Sequence, residues 1–527
     1  MLARKPVKAA PELELKFQLG AGAVEALQGE AFPLAEGSVA QLHATYFDTP
    51  NHALRDGGFS LRVRRKSNSF VQTLKHRSGG DLFQRDEWEI ETAGPDLDLA
   101  ALEGTPALAA IADQPLAAAF TVEVERRTHV WNRGATCIEV VFDTGLIVAG
   151  ERQEPIAEME LELLAGAPQD LFDLARDLQA KAALTLAFES KAERGYRLAG
   201  HDGVAALRAQ ASAVLPHTTG EEAFQQVARE ALVQIAGNAR LLQRAHNPDV
   251  LHQMRVGLRR LRAALSVFKA MLDAEGLNTA RAETRWLAGE LAEARDIDVF
   301  LQRAATPDEI DESPGRAAFF RALRIAQAEA YERALAAVRS ERFRTLLLTL
   351  AEWIEVGGWR RLANDEQRAL REGLAADLAA PVLDKLDRRL RRRSRRFLKL
   401  DAEARHDLRK QAKKLRYAAA FFGEAFPRHP KRRQRFVAAL KALQDQMGEL
   451  NDMAVARAVA MRAVGRRSGE LAFAAGLEVG RLTGEEDRVL EAANAALKAF
   501  RRIKPFWPSS DGRNEDLNLS RARLRSV

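Results

Sequence analysis

The chain is 527 residues long, more than one hydrophobic core normally organises, and 46% of its residues are apolar, as in ordinary globular proteins. Its charge is uneven: residues 1–200 hold 21 Lys and Arg against 30 Asp and Glu, whereas the remainder holds 59 against 43. Length and charge therefore argue against a single domain and predict two parts that suit different partners.

Membrane and secretory classes are disfavoured by the apolar pattern. No apolar run approaches the length that spans a bilayer, and the basic start, residues 1–8, leads into charged sequence instead of a signal-peptide core. We therefore expect a cytoplasmic protein with no membrane partner.

The first 200 residues contain five short segments in which charged and apolar side chains alternate. They are residues 12–16, 61–64, 73–75, 87–91 and 158–162. Each predicts a strand with one charged face and one apolar face. A solvated antiparallel sheet explains the alternation, but not why residues 12–16 and 158–162 are nearly all acidic while 61–64 and 73–75 are basic.

A closed sheet would explain this grouping, because its charged faces would line a lumen. Carboxylates two residues apart on one strand, about 7 Å from each other, can serve one or two hard cations. Glu12 and Glu14 form one such pair, and Glu158, Glu160 and Glu162 form the opposing set. The residues thus predict a site for Mg²⁺ or Mn²⁺ beside bases that hold phosphate oxygens.

Six motifs occur in the order of a known family. They are Glu12-x-Glu14-x-Lys16, Tyr46-Phe47-Asp48-Thr49, Leu61-Arg62-Val63-Arg64, Thr73-Leu74-Lys75, the strand with Glu158, Glu160 and Glu162, and Ser190-Lys191-x-x-Arg194-Gly195-Tyr196. Together they resemble the CYTH domain of the triphosphate tunnel metalloenzymes over residues 10–200. The resemblance implies an α+β domain over residues 1–200 with a closed antiparallel β tunnel.

The resemblance also implies roles for single residues. Catalytic roles fall on Lys16, Arg62, Arg64 and Lys75, substrate-binding roles on Arg85, Arg127, Lys191 and Arg194, and metal-binding roles on Glu12, Glu14, Asp143, Glu158, Glu160 and Glu162. The assignment of Arg127 depends on strand register, because Arg126 precedes it and a shift of one residue reverses the face.

The expected reaction is hydrolysis of inorganic tripolyphosphate to pyrophosphate and phosphate, since no residue outside the charged strands suggests a base-stacking pocket. Thiamine or nucleoside triphosphate hydrolysis and cyclisation of ATP are the alternatives within the family. A non-enzymatic polyphosphate-binding scaffold is the alternative outside it. Retention of both acidic strands favours an enzyme, because an anion-binding tunnel gains nothing from carboxylates without a metal.

After a linker over residues 201–216, the sequence becomes rich in Ala, Leu, Arg and Glu, which predicts helices throughout residues 217–505. Residues 252–262 resemble residues 406–416, and residues 287–299 resemble residues 443–455. We therefore expect an all-α domain of two pseudo-symmetric helical bundles.

Each copy carries one histidine and three cations within an arc of roughly 80° at about 100° per residue. The two stripes are His252, Arg255, Arg259 and Arg262, and His406, Arg409, Lys413 and Arg416. Solvated basic faces are the plain alternative, but duplication at the same offsets favours an anion. The stripes resemble the CHAD domain over residues 217–505, which implies binding of long-chain inorganic polyphosphate.

The basic run at residues 388–396 has almost no aromatic neighbours, which disfavours a nucleic-acid partner. We expect residues 506–527 to form a disordered tail. Association with polyphosphate granules and the oligomeric state stay open.

Overall fold

A computed structural model of the chain describes residues 7–8, 13–27, 37–66, 69–76, 86–111, 114–200, 205–209, 214–304, 314–361, 364–465 and 469–508. The chain divides into two compact units. The first comprises Met1–Leu207 with Ser340–Val356, and the second comprises Arg208–Arg339 with Gly357–Val527. Within the described ranges, no helix is both long enough and apolar enough to cross a membrane.

The first unit contains one ten-stranded antiparallel sheet. Its strands are β1 (Val7–Lys8), β2 (Glu14–Leu19), β3 (Ser38–Asp48), β4 (Phe59–Lys66), β5 (Ser69–His76), β6 (Asp86–Thr92), β7 (Ala117–Arg133), β8 (Thr136–Ala149), β9 (Arg152–Ala165) and β10 (Leu184–Ala187). Their order in the sheet is β1-β6-β5-β4-β3-β7-β8-β9-β2-β10. The prediction of a β-rich, antiparallel first domain is confirmed.

The prediction of a closed tunnel is wrong for the described part of the chain, because the sheet has two edges. β1 pairs with β6, β10 pairs with β2, and no ladder joins β1 to β10 among these residues. The physical reason is the pairing of the edge strands: in the described residues, β1 forms its ladder with β6 alone and β10 forms its ladder with β2 alone.

In the described residues of this unit there are six helices: α1 (Ala23–Leu27), α2 (Ala53–Asp56), α3 (Pro106–Ile111), α4 (Pro168–Gln179), α5 (Lys191–Ala199) and, from later in the chain, α11 (Glu341–Val356). α11 packs on α4 and β10. α11 lies within the range 217–505 that was predicted to be the helical domain, but it packs beside the sheet.

Helix α5 packs on the sheet face that carries the charged side chains. Tyr196 of α5 contacts Phe120 edge to face, and both belong to one apolar cluster with Tyr46. A Cβ atom at position 195 would collide with the Phe120 ring, so this position requires glycine. The glycine of the Arg-Gly-Tyr motif therefore allows α5 to approach the sheet closely.

The second unit is helical, as predicted. Its helices are α6 (Gly220–Leu242), α7 (Pro248–Val267), α8 (Ala274–Glu290), α9 (Ala292–Ala304), α10 (Pro314–Arg339), α12 (Asp365–Glu372), α13 (Ala375–Ser394), α14 (Ala402–Phe421), α15 (Pro430–Val464), α16 (Glu470–Thr483) and α17 (Glu486–Arg502). α7 and α14 are both 20 residues long, and His252 and His406 are the fifth residue of each. α7 packs on α6, α14 packs on α13, and α7 packs on α14.

The expected disorder is wrong at the start of the tail. Phe506 and Trp507 are buried in an aromatic cluster with Phe436, and Trp507 Nε1 donates a hydrogen bond to Asp384 at 2.8 Å. Burial of two large rings outweighs the polar composition that follows them. Residues 509–527 lie outside the described residues.

Candidate functional site

Strand register brings several acidic and basic side chains of the first unit onto one face. Glu14 is opposite Glu162 and Lys16 is opposite Glu160 between β2 and β9. On the next ladders, Asp143 is opposite both Glu158 and Arg126. Directly paired residues share a face, so these side chains form one surface, here called the charged face.

The charged face continues across the basic strands. Arg62 is opposite Tyr46 on β3 and Thr73 on β5, and Lys75 is opposite Glu87 on β6. Lys75 Nζ lies 2.7 Å from a Glu87 carboxylate oxygen. The predicted catalytic residues Lys16, Arg62, Arg64 and Lys75 therefore lie on the same face as the described acidic residues of the predicted metal set.

Lys191 on α5 lies among three carboxylates of this face. Its Nζ is 2.7 Å from Asp143, 2.8 Å from Glu158 and 3.2 Å from Glu160. Burial alone would lower the pKa of Lys191, but these carboxylates raise it well above its ordinary value. The ammonium is thus permanently charged and holds the three acidic strand positions together.

Glu160 is the centre of a second set of contacts. Lys16 Nζ lies 2.9 Å from Glu160 Oε1, and Arg126 Nη2 lies 3.1 Å from Oε2. Burial alone would raise the pKa of Glu160, but Lys16, Lys191 and Arg126 hold it well below its usual range. Glu160 therefore stays ionised at any pH at which the protein is expected to work.

The structure corrects the choice between the two adjacent arginines. Arg126 lies on the charged face, where its guanidinium binds Asp143 in a bidentate pair at 2.8 and 2.6 Å. Arg127 lies on the opposite face beside Glu125, with Nε to carboxylate oxygen at 2.9 Å. Period-two alternation allows only one of two neighbours to face the site, and register selects Arg126.

Arg194 has a different environment from the one predicted. It is 2% exposed, donates to Glu154 at 2.6 Å and to the carbonyl of Pro155 at 2.6 Å, and forms a further pair with Glu158. Its guanidinium is therefore engaged by the protein itself. We interpret Arg194 as a positioning residue for Glu158, whose pKa is lowered to about 2 by Lys191, Lys16 and Arg194 against the opposing effect of burial.

Two guanidinium groups on the charged face keep unused donors. The Nε atoms of Arg62 and Arg64 are buried without a hydrogen-bond partner in the described residues. Burial and the nearby charges of Arg62 and Arg126 lower the pKa of Arg64 to about 10. Two neighbouring half-buried guanidinium groups whose Nε donors are unused favour a bound anion, and a guanidinium holds two phosphate oxygens at once.

The donor set has the chemistry that a divalent cation prefers, because it consists of carboxylate oxygens. Glu158, Glu160 and Asp143 all pair with Lys191, and no group of three or more His, Cys, Asp or Glu among the described residues has the arrangement of a metal site. Glu14 is the more open carboxylate: its side chain is 38% exposed, against 15% for Glu160, and it lies 3.7 Å from Lys16 Nζ. Glu12 and Arg85 lie outside the described residues.

Sequence analysis missed three groups of this site. Glu154, which accepts a hydrogen bond from Arg194, lies outside the predicted motif strands. Arg126 was not assigned to the site because Arg127 was chosen instead. Tyr46 was given no role of its own, although its hydroxyl accepts a hydrogen bond from Arg62 at 3.4 Å. The alternating segment 87–91 predicted a strand, but its residues were given no role in the site. Glu87 of this strand pairs with Lys75, and Glu89 accepts a hydrogen bond from Thr73.

The second unit brings the two predicted stripes together. Arg259 on α7 acts electrostatically on both Arg409 and Lys413 of α14. Burial, Arg409 and Arg259 lower the pKa of Lys413 to about 7. The Nε atoms of Arg255, Arg259 and Arg409 are buried and have no hydrogen-bond partner within the described ranges. The stripes thus form one cationic surface with unused donors, here called the paired stripes.

Three stripe residues contact neutral groups. Arg255 donates to the carbonyl of Ala288 at 3.1 Å, and Arg416 donates to Gln444 at 2.7 Å. His406 Nδ1 lies 2.9 Å from Asn451. Burial, Arg295 and Arg259 lower the pKa of His252 to about 4, so this histidine is neutral and offers an anion a hydrogen bond at most.

Comparison with known proteins agrees with this division. Residues 10–196 match the family model of the CYTH domain, and residues 226–460 match that of the CHAD domain. An inorganic triphosphatase of Haemophilus influenzae is 32% identical over 170 residues, which is 32% of this chain and 48% of that protein. This chain thus matches about half the length of that relative.

Two further similarities cover more of the chain. An uncharacterised protein of Mycobacterium tuberculosis is 25% identical over 497 residues, 87% of this chain and 89% of that protein. The crystal structure of the CHAD domain from the plant Ricinus communis is 30% identical, covers 58% of this chain and 99% of that chain, and superposes with a TM-score of 0.48. The order of the two matched family models shows that the chain carries a CYTH domain followed by a CHAD domain.

Proposed function

We propose that the charged face hydrolyses inorganic tripolyphosphate to pyrophosphate and phosphate with a divalent cation, and that the paired stripes bind long-chain polyphosphate. The observation that carries the first part is the pair of buried, unpartnered Nε donors of Arg62 and Arg64 on the face that also holds Lys16 and ionised Glu160. The similarity of the CYTH region to an inorganic triphosphatase supports the same reaction class.

Phosphoanhydride hydrolysis needs charge neutralisation, in-line geometry and a positioned water more than covalent chemistry. Arg62, Arg64, Lys16 and Lys75 would hold the phosphate oxygens and leave the terminal phosphorus open to water. Water adds to that phosphorus as the P–O anhydride bond breaks, pyrophosphate leaves with the electron pair, and the proton of water is released.

Glu14 and Glu160 would hold the metal, with Asp143 and Glu158 kept ionised behind them by Lys191. A divalent cation, Mg²⁺ or Mn²⁺, supplies charge neutralisation of the phosphates and a lowered pKa for water when bound. In its absence Lys16 and Arg126 supply part of the positive charge around Glu160.

A phosphate-release assay on the full chain tests this reaction. We expect release from tripolyphosphate that requires added Mg²⁺ or Mn²⁺ and stops with a chelator. Pyrophosphate should be a poor substrate, because it leaves part of the cation set unfilled. Absence of metal-dependent release from every triphosphate offered would favour the non-enzymatic scaffold instead.

Adjacent arginines offer a matched pair of variants. Arg126→Gln should lower kcat/KM for tripolyphosphate by about 10- to 100-fold, because it removes a cation that contacts Glu160 and Asp143 on the charged face. Arg127→Gln removes the same charge from the opposite face and should leave kcat/KM within about twofold. Steady-state kinetics with both variants would contradict the register assignment if Arg127→Gln proved the more damaging.

Polyphosphate binding by the paired stripes should depend on pH through Lys413. Burial first, and then the charges of Arg409, Arg259 and Arg416, lower its pKa from the ordinary 10.5 to about 7, against the opposite effect of Asp452. A bound polyanion favours the ammonium, so binding above pH 7 takes up a proton and affinity falls as pH rises. Between pH 7 and 8.5 we expect a loss of about tenfold.

Lys413→Arg is the control for this pH dependence, because its guanidinium stays charged throughout the range. Binding isotherms in buffers of equal ionic strength should show a flat profile for this variant. An equally steep profile in parent and variant would assign the proton to another group.

A further inference from the structure

The two helical copies differ in charge at matching positions. Arg260, the thirteenth residue of α7, lies 2.9 Å from Glu230, the eleventh residue of α6. The thirteenth residue of α14 is Lys414, and the eleventh of α13 is Lys385. The first copy therefore has an ion pair where the second copy has two cations.

The difference extends one turn further along α13. Arg389 follows Lys385 by four residues on the same side of the helix, whereas the matching residue of α6 is the neutral Gln234. Lys385 and Arg389 are both exposed. In the described part of the chain, neither forms an ion pair.

Cations from two other elements converge on the same place. Lys269, just beyond α7, and Arg281 of α8 act on Lys414 together with Lys385 and Arg389, and burial with these four charges lowers the pKa of Lys414. Arg281 Nη2 donates to the carbonyl of Leu265 at 3.4 Å, which fixes α8 against the last turn of α7. Lys414 itself forms no hydrogen bond or ion pair within the described residues.

We propose that Lys269, Arg281, Lys385, Arg389 and Lys414, here called the second-copy cluster, form a further polyphosphate-binding surface that extends the paired stripes. Arg285 acts on Arg262 of the stripe, and Arg281 lies one turn earlier on α8, so cations lead from one surface to the other. The cluster includes no aromatic side chain for base stacking, which favours polyphosphate over nucleic acid. The extension rests on the proposed binding of polyphosphate by the stripes.

Contact of one polyphosphate molecule with both surfaces has a measurable consequence for binding. A polyphosphate that reaches both surfaces gains contacts without a second loss of translational freedom. Each phosphate contact releases counterions and, by analogy with nucleic acids, adds about 0.7 to 0.9 to the slope of log K against log salt. The two exposed cations of α13 should therefore contribute about 1.5 to that slope.

The test is a salt titration of long-chain polyphosphate binding to the full chain, with a chelator present to silence metal-dependent turnover. Lys385→Gln with Arg389→Gln should weaken binding about fivefold and reduce the slope by about 1.5. Arg321→Gln with Arg324→Gln removes two exposed arginines of α10 and is the matched control, with a change below about twofold. Both double variants should melt at the same temperature as the parent, which would show that their helices persist.

Equal losses in the α13 and α10 double variants, or none in either, would overturn the cluster and leave the stripes unaffected. Loss in the α13 variant with full binding in a stripe variant would overturn the stripe site and the extension, and would make the cluster a binding surface of its own. If duplex DNA competes equally at equal phosphate concentration, the surface is a general polyanion site and the assignment to polyphosphate is wrong.

Discussion

Glu160→Gln should reduce metal-dependent phosphate release from tripolyphosphate by at least about 100-fold, because the amide removes the charge that a divalent cation needs. The same carboxylate pairs with Lys16, Lys191 and Arg126, so its loss also leaves three cations without their shared partner. Glu14→Gln should be similarly damaging to turnover but milder for stability, since the Glu14 side chain is more exposed and its contact with Lys16 is longer, at 3.7 Å. Initial rates across a metal titration measure both effects.

Glu123→Gln is the matched control for these variants. Glu123 lies on β7 but faces away from the charged face, with a 57% exposed side chain next to His43. Its replacement should leave turnover unchanged. Parent-like turnover at saturating substrate in both Glu160→Gln and Glu14→Gln would contradict the metal assignment.

Neutralising one of the paired stripes should reduce affinity for long-chain polyphosphate by about 100-fold at physiological salt, with a slope of log K against log salt smaller by about 2. The variants replace Arg255, Arg259 and Arg262 together, or Arg409, Lys413 and Arg416 together, by Ala. Either should suffice, because Arg259 acts directly on Arg409 and Lys413 and the two stripes form one surface. Ala is a good helix former, so α7 and α14 should persist.

Circular dichroism of the triple variants checks the helices, and fluorescence or calorimetric titration measures binding. Binding like that of the parent in both variants would show that the stripes are ordinary solvated faces. Loss in one variant alone would mean that only one of the two stripes binds polyphosphate.

Local alternation predicted the strands and the identity of the charged face well. Side chains at i and i+2 share a face whatever the rest of the sheet does, so Glu14 with Lys16, Arg62 with Arg64, and Glu158 with Glu160 could be grouped from sequence. The helical stripes were equally accessible, because a spacing of three and four residues already defines one side of a helix.

Features that depend on residues far away in the chain could not be predicted from the sequence. Closure of the sheet depends on whether its two edge strands pair with each other, which local patterning does not report. The choice between Arg126 and Arg127 depends on the β7–β8 register, and the role of Arg194 depends on Glu154, 40 residues away in the chain. The amphipathic pattern of α11 says that one side is buried but does not say against which unit.

The most direct test of the proposed function is phosphate release measured in parallel from tripolyphosphate, ATP and thiamine triphosphate with Mg²⁺ or Mn²⁺ and the full chain. A site that recognises phosphate oxygens through Lys16, Arg62, Arg64 and Lys75 should give the highest kcat/KM for tripolyphosphate, with pyrophosphate and phosphate as products. Efficient formation of cyclic AMP with release of pyrophosphate from ATP, or faster hydrolysis of either organic triphosphate, would contradict it.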